Sequence, residues 1–199
     1  MRRSSAPFFV LLLALLPSVA RADDAPKKPV DESPGTYINL FSTLSVGKGL
    51  RFNNPYRLST EIGADAKSVS ATAAYVDFAA NMTLGAPRGF QDGLSIHIGG
   101  AVEGIRQTYL SFSDVLVFKH DASWMAHARV GPALLLTPDF NVGAELAGGF
   151  SYFFTGAIGL TSELAVDVFY GAATLDKTFT TIPTLSGQLG IIVDFEVLP

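Results

Sequence analysis

Apolar and polar side chains alternate along most of the chain from residue 37 onward. In Leu94 to Gly104 (LSIHIGGAVEG) the even positions are apolar, while the odd positions include His97 and Glu103. A period of two residues is typical of a β-strand with one apolar and one polar face. The same period predicts eight strands: 37–46, 68–84, 94–104, 111–120, 124–136, 142–154, 158–170 and 185–197. The segment 111–120 alternates less cleanly, and its pattern leaves open which face points inward.

The residues on the two faces indicate what each face contacts. One face carries Leu, Ile, Val, Ala and aromatic side chains in strand after strand, whereas a water-facing strand would carry Lys, Glu and Thr. The other face is small and polar, which suits the narrow interior of an eight-stranded barrel. Most segments also reach the roughly 9–11 residues that a tilted membrane-spanning strand needs. The pattern predicts an all-β, eight-stranded, antiparallel up-and-down transmembrane β-barrel over residues 36–199.

The predicted connections alternate between tight turns and longer loops, as in outer-membrane barrels. His120–Ser123 and Thr155–Gly156 are tight, whereas 47–67, 105–110 and 172–183 are longer. Two connections fit this alternation less well, because 85–93 is long for a periplasmic turn and 137–140 is short for an outer loop. Aromatic residues near strand ends predict a girdle at each membrane interface. Those expected at the periplasmic end are Tyr37, Trp124, Tyr152, Phe154 and Phe195, with Tyr170 at the other end.

The first 35 residues differ in composition from the predicted barrel. Residues 1–22 combine Arg2 and Arg3, a short apolar run and an Ala20-Arg21-Ala22 cleavage sequence, which together predict a secretory signal peptide cleaved after Ala22. Residues 23–35 are rich in proline and charge and predict a flexible periplasmic linker. The protein is therefore expected to be exported to the outer membrane.

Charge and cysteine content exclude several classes of function. Loss of the three signal-peptide arginines lowers the Lys and Arg count from 14 to 11 against 18 Asp and Glu. An acidic chain is a poor candidate for nucleic-acid binding, which depends on phosphate neutralisation by Lys and Arg. The chain has no cysteine, so disulfides and thiolate metal sites are excluded. No cofactor is expected, and His97, His120 and His127 lack the spacing of metal ligands.

The last predicted strand carries a motif known from a family. Residues 188–195 (QLGIIVDF) resemble the signal by which outer-membrane barrels are recognised by the barrel assembly machinery. With the export signal and eight alternating strands, residues 37–197 resemble the small outer-membrane barrels of the outer membrane protein A and X type. Such chains commonly end on an aromatic residue, whereas Leu198 and Pro199 follow here. The resemblance implies an environment of outer-membrane lipid and lipopolysaccharide, and the assembly machinery as a partner.

Charged residues on the polar face are expected to meet inside the barrel. Those singled out as a lumen charge network are Asp77, His97, Glu103, His127, Arg129, Glu145, Glu163 and Asp167, with Asp194 and Glu196 also on the inward face. We expect Arg129 to pair with Glu145, Glu163 or both, because an unpaired buried charge costs several kcal/mol. The network is interpreted as a structural plug, and a narrow gated path for ions or small solutes is the functional alternative. His97 and Glu103 are roughly 20 Å apart at ~3.3 Å per residue, too far to act as an acid–base pair.

Two other classes of function are open to this sequence. By analogy with outer-membrane lipid A deacylases and acyltransferases, His120 and Ser123 are candidate catalytic residues. Their sequence HDAS also forms an ordinary turn, and no G-x-S-x-G motif is present. The prediction is therefore that the protein is not an enzyme. The other alternative is a soluble periplasmic, lipocalin-like binder of small molecules.

The longest predicted loop, 47–67, is the best sequence candidate for recognition. It carries Arg51, Phe52, Tyr56 and Arg57, a combination able to contact a saccharide, lipopolysaccharide or a partner protein. Loops on rigid scaffolds often carry function, although such a loop can also simply cover the barrel. The sequence thus predicts a structural role, or recognition of an extracellular ligand or protein through the loops.

Overall fold

The computed structural model describes residues 37–54, 68–120, 122–172 and 179–197. The predicted signal peptide and linker lie outside the described residues, as do Tyr56 and Arg57. Within the described part, no helix has the length and apolarity needed to cross a membrane. The described secondary structure consists of β1 (Tyr37–Asn54), β2 (Ser68–Ala71), β3 (Tyr75–Gly85), β4 (Gly89–Ala101), β5 (Thr108–Lys119), β6 (Trp124–Thr137), β7 (Asn141–Phe153), β8 (Ile158–Ala172) and β9 (Phe179–Val197).

These strands form one closed antiparallel barrel. From β3 to β9 each strand pairs with the next in sequence, and β1 pairs with both β3 and β9. The β1–β9 pairing runs from Ile38 opposite Val197 to Arg51 opposite Thr184 and closes the wall. The short β2 pairs with the far end of β1 and continues the line of β3, so the wall has eight strands. The predicted eight-stranded all-β barrel is confirmed.

The predicted strand 68–84 is interrupted in the structure. Residues 72–74 are not part of a β-strand. In this region, side chains accept hydrogen bonds from backbone N–H groups that would bond to a neighbouring strand in a regular sheet. The Thr72 hydroxyl accepts a hydrogen bond from the Gly49 N–H at 2.8 Å, and a Glu103 carboxylate oxygen accepts one from the Ala74 N–H at 3.0 Å. The outward side chains are at odd positions before the break (Val69, Ala71) and at even positions after it (Phe78, Ala80), so the prediction of one continuous strand over 68–84 overlooked a change of phase.

Strand β4 also differs from the predicted segment. It begins at Gly89 rather than at residue 94 and ends at Ala101 rather than at residue 104. The connection predicted at 85–93 is therefore only residues 86–88, a length typical of a tight turn. Gly89 has a φ of 101°, a backbone conformation that glycine adopts without steric cost, and so it starts the strand directly after this turn.

The barrel has two different ends. The turn end holds Tyr37, Val197 and the short connections 86–88, 120–123 and 154–157. The loop end holds the connections 102–107 and 138–140, together with the described ends of β1 at Asn54, β2 at Ser68, β8 at Ala172 and β9 at Phe179. The connection 138–140 remains short, as its sequence indicated. The start of β1, the end of β9 and the short turns at one end, with connections that are longer in sequence between the strand ends at the other, match the arrangement of outer-membrane barrels.

The facing of the strands separates an apolar outside from a polar inside. Burial shows which way the side chains of β5 point, a question that the sequence left open. The inward side chains are Ser111, Ser113, Val115 and Val117, and the outward ones include Phe112 and Leu116. Asp114 also points outward, between Leu94 of β4 and Val130 of β6. The sequence pattern did not identify this outward carboxylate.

Aromatic residues gather near both ends of the outer surface. At the turn end, Phe118 lies next to Phe90, and Trp124 stacks on His120 and on Phe150 with ring centroids 5.1 and 5.7 Å apart. At the loop end, the rings of Tyr170 and Phe179 are 6.3 Å apart. These positions correspond to the two interfacial girdles expected of a membrane-spanning barrel.

Candidate functional site inside the barrel

Arg129 bridges two buried carboxylates, those of Glu145 and Glu163, inside the barrel. Arg129 of β6 faces inward because its odd position shares the face of His127 and Met125. Its guanidinium donates from Nε and Nη2 to the two oxygens of Glu163, at 3.0 and 2.7 Å. It also donates from Nη1 and Nη2 to both oxygens of Glu145. Such two-pronged contacts are among the strongest charge-assisted hydrogen bonds that proteins form.

Neutral groups complete the coordination of the two carboxylates. Glu145 accepts hydrogen bonds from the hydroxyls of Tyr109 and Ser111, the latter at 2.9 Å. Glu163 contacts His127 Nε2 at 2.9 Å and accepts a hydrogen bond from the Gln188 amide at 2.6 Å. All four carboxylate oxygens thus have partners, as buried charges require. Tyr109, Ser111 and Gln188 were not among the predicted site residues, since uncharged polar residues on the inward face gave no distinguishing signal.

Two further acids lie closer to the loop end and are less completely partnered. Asp77 contacts His97 Nδ1 through Oδ1 at 2.8 Å. Asp167 accepts a hydrogen bond from the Thr184 hydroxyl through Oδ2 at 2.8 Å. Their second oxygens, Asp77 Oδ2 and Asp167 Oδ1, are buried and have no hydrogen-bond partner.

Glu103 corrects the predicted network. It lies in the connection after β4, its side chain is 53% exposed, and it pairs with Lys48 at 2.7 Å. Hydrogen bonds from Lys48 and from the Ala74 N–H hold the pKa of this carboxyl below its ordinary value. Because β4 ends at Ala101, the inward-facing alternation stops before residue 103, and Glu103 does not join the buried acids.

The turn end of the interior is occupied by a second ion pair and an apolar layer. Lys119 contacts Asp194 at 2.8 Å, and Asn39 donates to the other oxygen of Asp194 at 2.8 Å. Glu196, which was also predicted to face inward, is exposed. Between this ion pair and the Arg129 network lies a cluster of buried apolar side chains: Phe41, Val115, Val117, Met125, Phe153 and Ile192.

Cavities remain on the loop side of the Arg129 network. A cavity of about 120 Å³, here called the acidic cavity, is lined by Asp77, Asp167, Tyr75, Tyr109 and Gln188 among others. A wider space of about 580 Å³ at the loop end, the mouth, shares Thr72, Gln107, Leu135 and Thr184 with it. On the turn side of the network, the space beside His97 and His127 measures only about 10 Å³.

The remaining predicted residues lie apart from this interior. Arg51 lines the mouth, whereas Phe52 is exposed on the outer surface. His120 and Ser123 are exposed at the turn end, where His120 belongs to the aromatic cluster around Trp124. Within the described ranges, no group of three or more His, Cys, Asp or Glu side chains is arranged to hold a metal ion.

Comparisons with known proteins give a likeness of architecture. No protein-family model matches the chain, and no curated protein matches it. Among solved structures, it is similar to Ail, the attachment invasion locus protein of Yersinia pestis, with 11% identity and a TM-score of 0.46 over 78% of this chain and 98% of that one. It is also similar to the N-terminal β-barrel domain of Pseudomonas aeruginosa OprF, with 14% identity and a TM-score of 0.46 over 77% and 97% of the two chains.

A third similar structure is Neisserial surface protein A, with 11% identity and a TM-score of 0.45 over 78% of this chain and 97% of that one. At these identities the likeness concerns architecture alone. The closed eight-stranded barrel of this chain follows from its own strand pairing.

Proposed function

We propose that this protein is an integral outer-membrane barrel with a closed polar interior, and that it acts structurally or in recognition through its loop end. The observation that carries the proposal is the apolar belt. Large apolar side chains lie exposed on the barrel strands around the whole wall, for example Leu40, Phe78, Ile96, Leu116, Leu146, Leu164 and Ile191. Soluble monomers rarely expose apolar patches of more than a few hundred Å².

The distribution of polarity argues against a soluble lipocalin-like barrel. In such a protein water contacts the outer face, and the interior is the apolar side that receives a ligand. Here the buried interior holds Arg129 with its two glutamates, while positions such as Leu94 are 59% exposed on the outside. The inside-out pattern suits lipid on the outer face, where closure of the barrel satisfies the backbone hydrogen bonds.

Two consecutive layers support a closed interior rather than a gated path. The Arg129 network links side chains of five successive strands, β5 to β9, inside the barrel, and the apolar cluster around Met125 lies beneath it. The gap on the turn side of the network, about 10 Å³, is at the lower limit for a single water molecule. An ion passing through would have to separate Arg129 from its carboxylates and then cross the apolar layer.

The most direct test is cell fractionation combined with heat-dependent gel mobility. We expect the protein in the outer-membrane fraction, extractable only with detergent, and migrating differently before and after boiling. Recovery in the soluble periplasmic fraction without detergent would refute the membrane assignment. In planar bilayers, we expect the purified protein to show no discrete conductance steps, and steady single-channel currents would refute the closed interior.

The orientation proposed for the barrel places its loop end outside the cell. The predicted loop 47–67 begins only after Asn54, because β1 continues through Arg51 and Phe52. Arg51 at the mouth and Phe52 near the end of β1, with Tyr56 and Arg57 of the connection that follows, are the proposed contacts for lipopolysaccharide, a saccharide or a partner protein. Strand β9, which carries the assembly-signal residues 188–195, pairs with β1 at the closure of the barrel. This strand is the proposed contact for the barrel assembly machinery. His120 belongs to the aromatic cluster around Trp124, and we propose a protein without enzymatic activity.

A further inference from the structure

The acidic cavity contains more hydrogen-bond acceptors than the protein itself satisfies. Asp77 and Asp167 are only 2% and 7% exposed, and each has one buried carboxylate oxygen without a hydrogen-bond partner. Gln188 adds an unpartnered amide oxygen, Oε1, because its Nε2 donates to Glu163. All three residues line the same cavity. A buried polar atom without a partner costs about 1–3 kcal/mol, so a donor in this space would be stabilising.

Charge balance points to a cationic occupant. Glu145 and Asp167 lie directly opposite each other on β7 and β8, an arrangement that is unfavourable for like charges. Both oxygens of Glu145 are engaged by Arg129, and Glu145 accepts further bonds from Tyr109 and Ser111. Arg129 is also shared with Glu163, which leaves no protein cation in contact with Asp167 among the described residues.

The walls of the cavity provide space and aromatic surface. A Cβ atom added at Gly99 would lie 3.1 Å from the Tyr109 ring and 3.4 Å from Oδ2 of Asp77. The missing side chain at Gly99 therefore keeps open the volume beside that oxygen. Tyr75 and Phe169 also line the cavity. Aromatic faces attract cations, with energies of about 0.5–2 kcal/mol depending on desolvation.

We propose that the acidic cavity is a binding site for a small organic cation that carries N–H donors, of the primary ammonium class. An ammonium group supplies three donors and no acceptor, which matches a cavity with three unpartnered acceptors. Its charge offsets that of Asp167, it donates to the oxygen of Asp77 that His97 does not contact, and its alkyl part contacts Tyr75, Tyr109 and Phe169. The site lies beyond the structural and recognition role proposed above, and it requires only that the barrel interior is folded.

The cation would enter through the mouth. The mouth shares lining residues with the acidic cavity and carries charges of both signs, namely Lys48, Arg51, Glu103 and Asp139. The mouth therefore does not favour cations over anions, and the preference for a cation comes from Asp77 and Asp167 in the deeper acidic cavity. The Arg129 network forms the floor, so that the cavity is a blind site and not a segment of a pore.

Ethylammonium is a suitable probe, because its volume suits a cavity of about 120 Å³. The experiment is an NMR titration of the purified, isotope-labelled protein in detergent micelles at constant ionic strength. We expect saturable amide shifts clustered at residues 99–101, 107 and 165–167, and intermolecular NOEs to the Tyr109 ring. Asp167→Asn, which keeps the shape and removes the charge, should weaken binding at least about tenfold. Gly99→Ala, which fills the space, should weaken it without changing any charge.

Asp92→Asn is the matched control, because Asp92 lies exposed on the outer face of β4 and the same substitution there should leave binding unchanged. Ethanol, which has a similar size but no charge, should not bind. Heat-dependent gel mobility checks that each variant is folded. Absence of saturable shifts with ethylammonium, equal shifts with ethanol, or unchanged affinity in folded Asp167→Asn would overturn the proposal and would indicate that water or a proton satisfies these acids. None of these results would affect the fractionation test of the membrane assignment.

Discussion

The guanidinium of Arg129 on β6 donates from Nη2 to Glu163 on β8 at 2.7 Å, and β7 lies between these two strands in the wall. This contact joins the β6 and β8 sides of the barrel through side chains, independently of the backbone ladder. Arg129 also donates to Glu145 of β7, so that side-chain ion pairs connect all three strands.

Removal of Arg129 should strongly destabilise the barrel. Arg129→Met leaves Glu145 and Glu163 buried with no cation between them, and we expect the free energy of unfolding to fall by about 3–5 kcal/mol. The measurement is urea unfolding in micelles, followed through the fluorescence of Trp124, which is the single tryptophan of the chain. The triple variant Arg129→Met, Glu145→Gln, Glu163→Gln removes the uncompensated charges and should recover most of this loss. Equal stability of the single variant and the wild type would show that the network contributes little.

Replacement of the outward carboxylate of Asp114 should stabilise the protein in a bilayer. Asp114 lies among Leu94, Phe112, Leu116 and Val130 on the outer face. A charged side chain facing lipid is unfavourable, and Asp114→Leu should raise the free energy of unfolding by about 1–2 kcal/mol in lipid vesicles. The reciprocal Leu116→Asp should lower it. A loss of stability in Asp114→Leu would mean that this carboxylate contacts a polar partner instead of lipid.

Two adjacent glycines of β7 should respond differently to the same substitution. A Cβ at Gly149 would collide with the His127 ring inside the barrel, whereas a Cβ at Gly148 would have only the His127 carbonyl oxygen nearby, at 3.7 Å on the outside. Gly149→Ala should therefore cost about 1–3 kcal/mol through overpacking and displace His127 from Glu163. Gly148→Ala should be nearly neutral or slightly stabilising. Urea unfolding of the pair measures the difference, and similar values for both would contradict the inward facing of Gly149.

The pair of Glu103 and Lys48 predicts a small pH dependence at the loop end. Bonds to the ionised form hold the folded-state pKa of Glu103 below its ordinary value. The pair therefore contributes stability at pH values above the unfolded-state pKa, and this contribution is lost as the pH falls through the folded-state pKa. An NMR titration of the Glu103 side chain should show the lowered pKa, and Lys48→Met should return it towards the ordinary value. An unchanged pKa in Lys48→Met would show that the lysine is not the cause.

The number of strands, the apolar outer face and the inward position of Arg129 could all be predicted from the sequence alone. A period of two residues fixes the face of each side chain, and a buried arginine surrounded by acids on neighbouring strands leaves few alternatives for its partners. The alternation also identified inward-facing Asp77, His97, His127, Glu145, Glu163 and Asp167. Alternation cannot show where a strand ends, and for this reason Glu103 was assigned to the interior. Glu196 lies within β9, opposite Asn39, but it is exposed because it is next to the end of the strand at the rim of the barrel.

The contacts between side chains, and the buried atoms that have no partner, could be read only from the folded barrel. Register between strands that are far apart in sequence brings Tyr109 to Glu145 and Gln188 to Glu163, contacts that a pattern along one strand does not contain. The folded barrel also settles the facing of Asp114, where the alternation is weak because apolar Val115 and Val117 face inward while the charged Asp114 faces outward. The acidic cavity depends on closure of the whole barrel, since its walls come from strands at both ends of the chain.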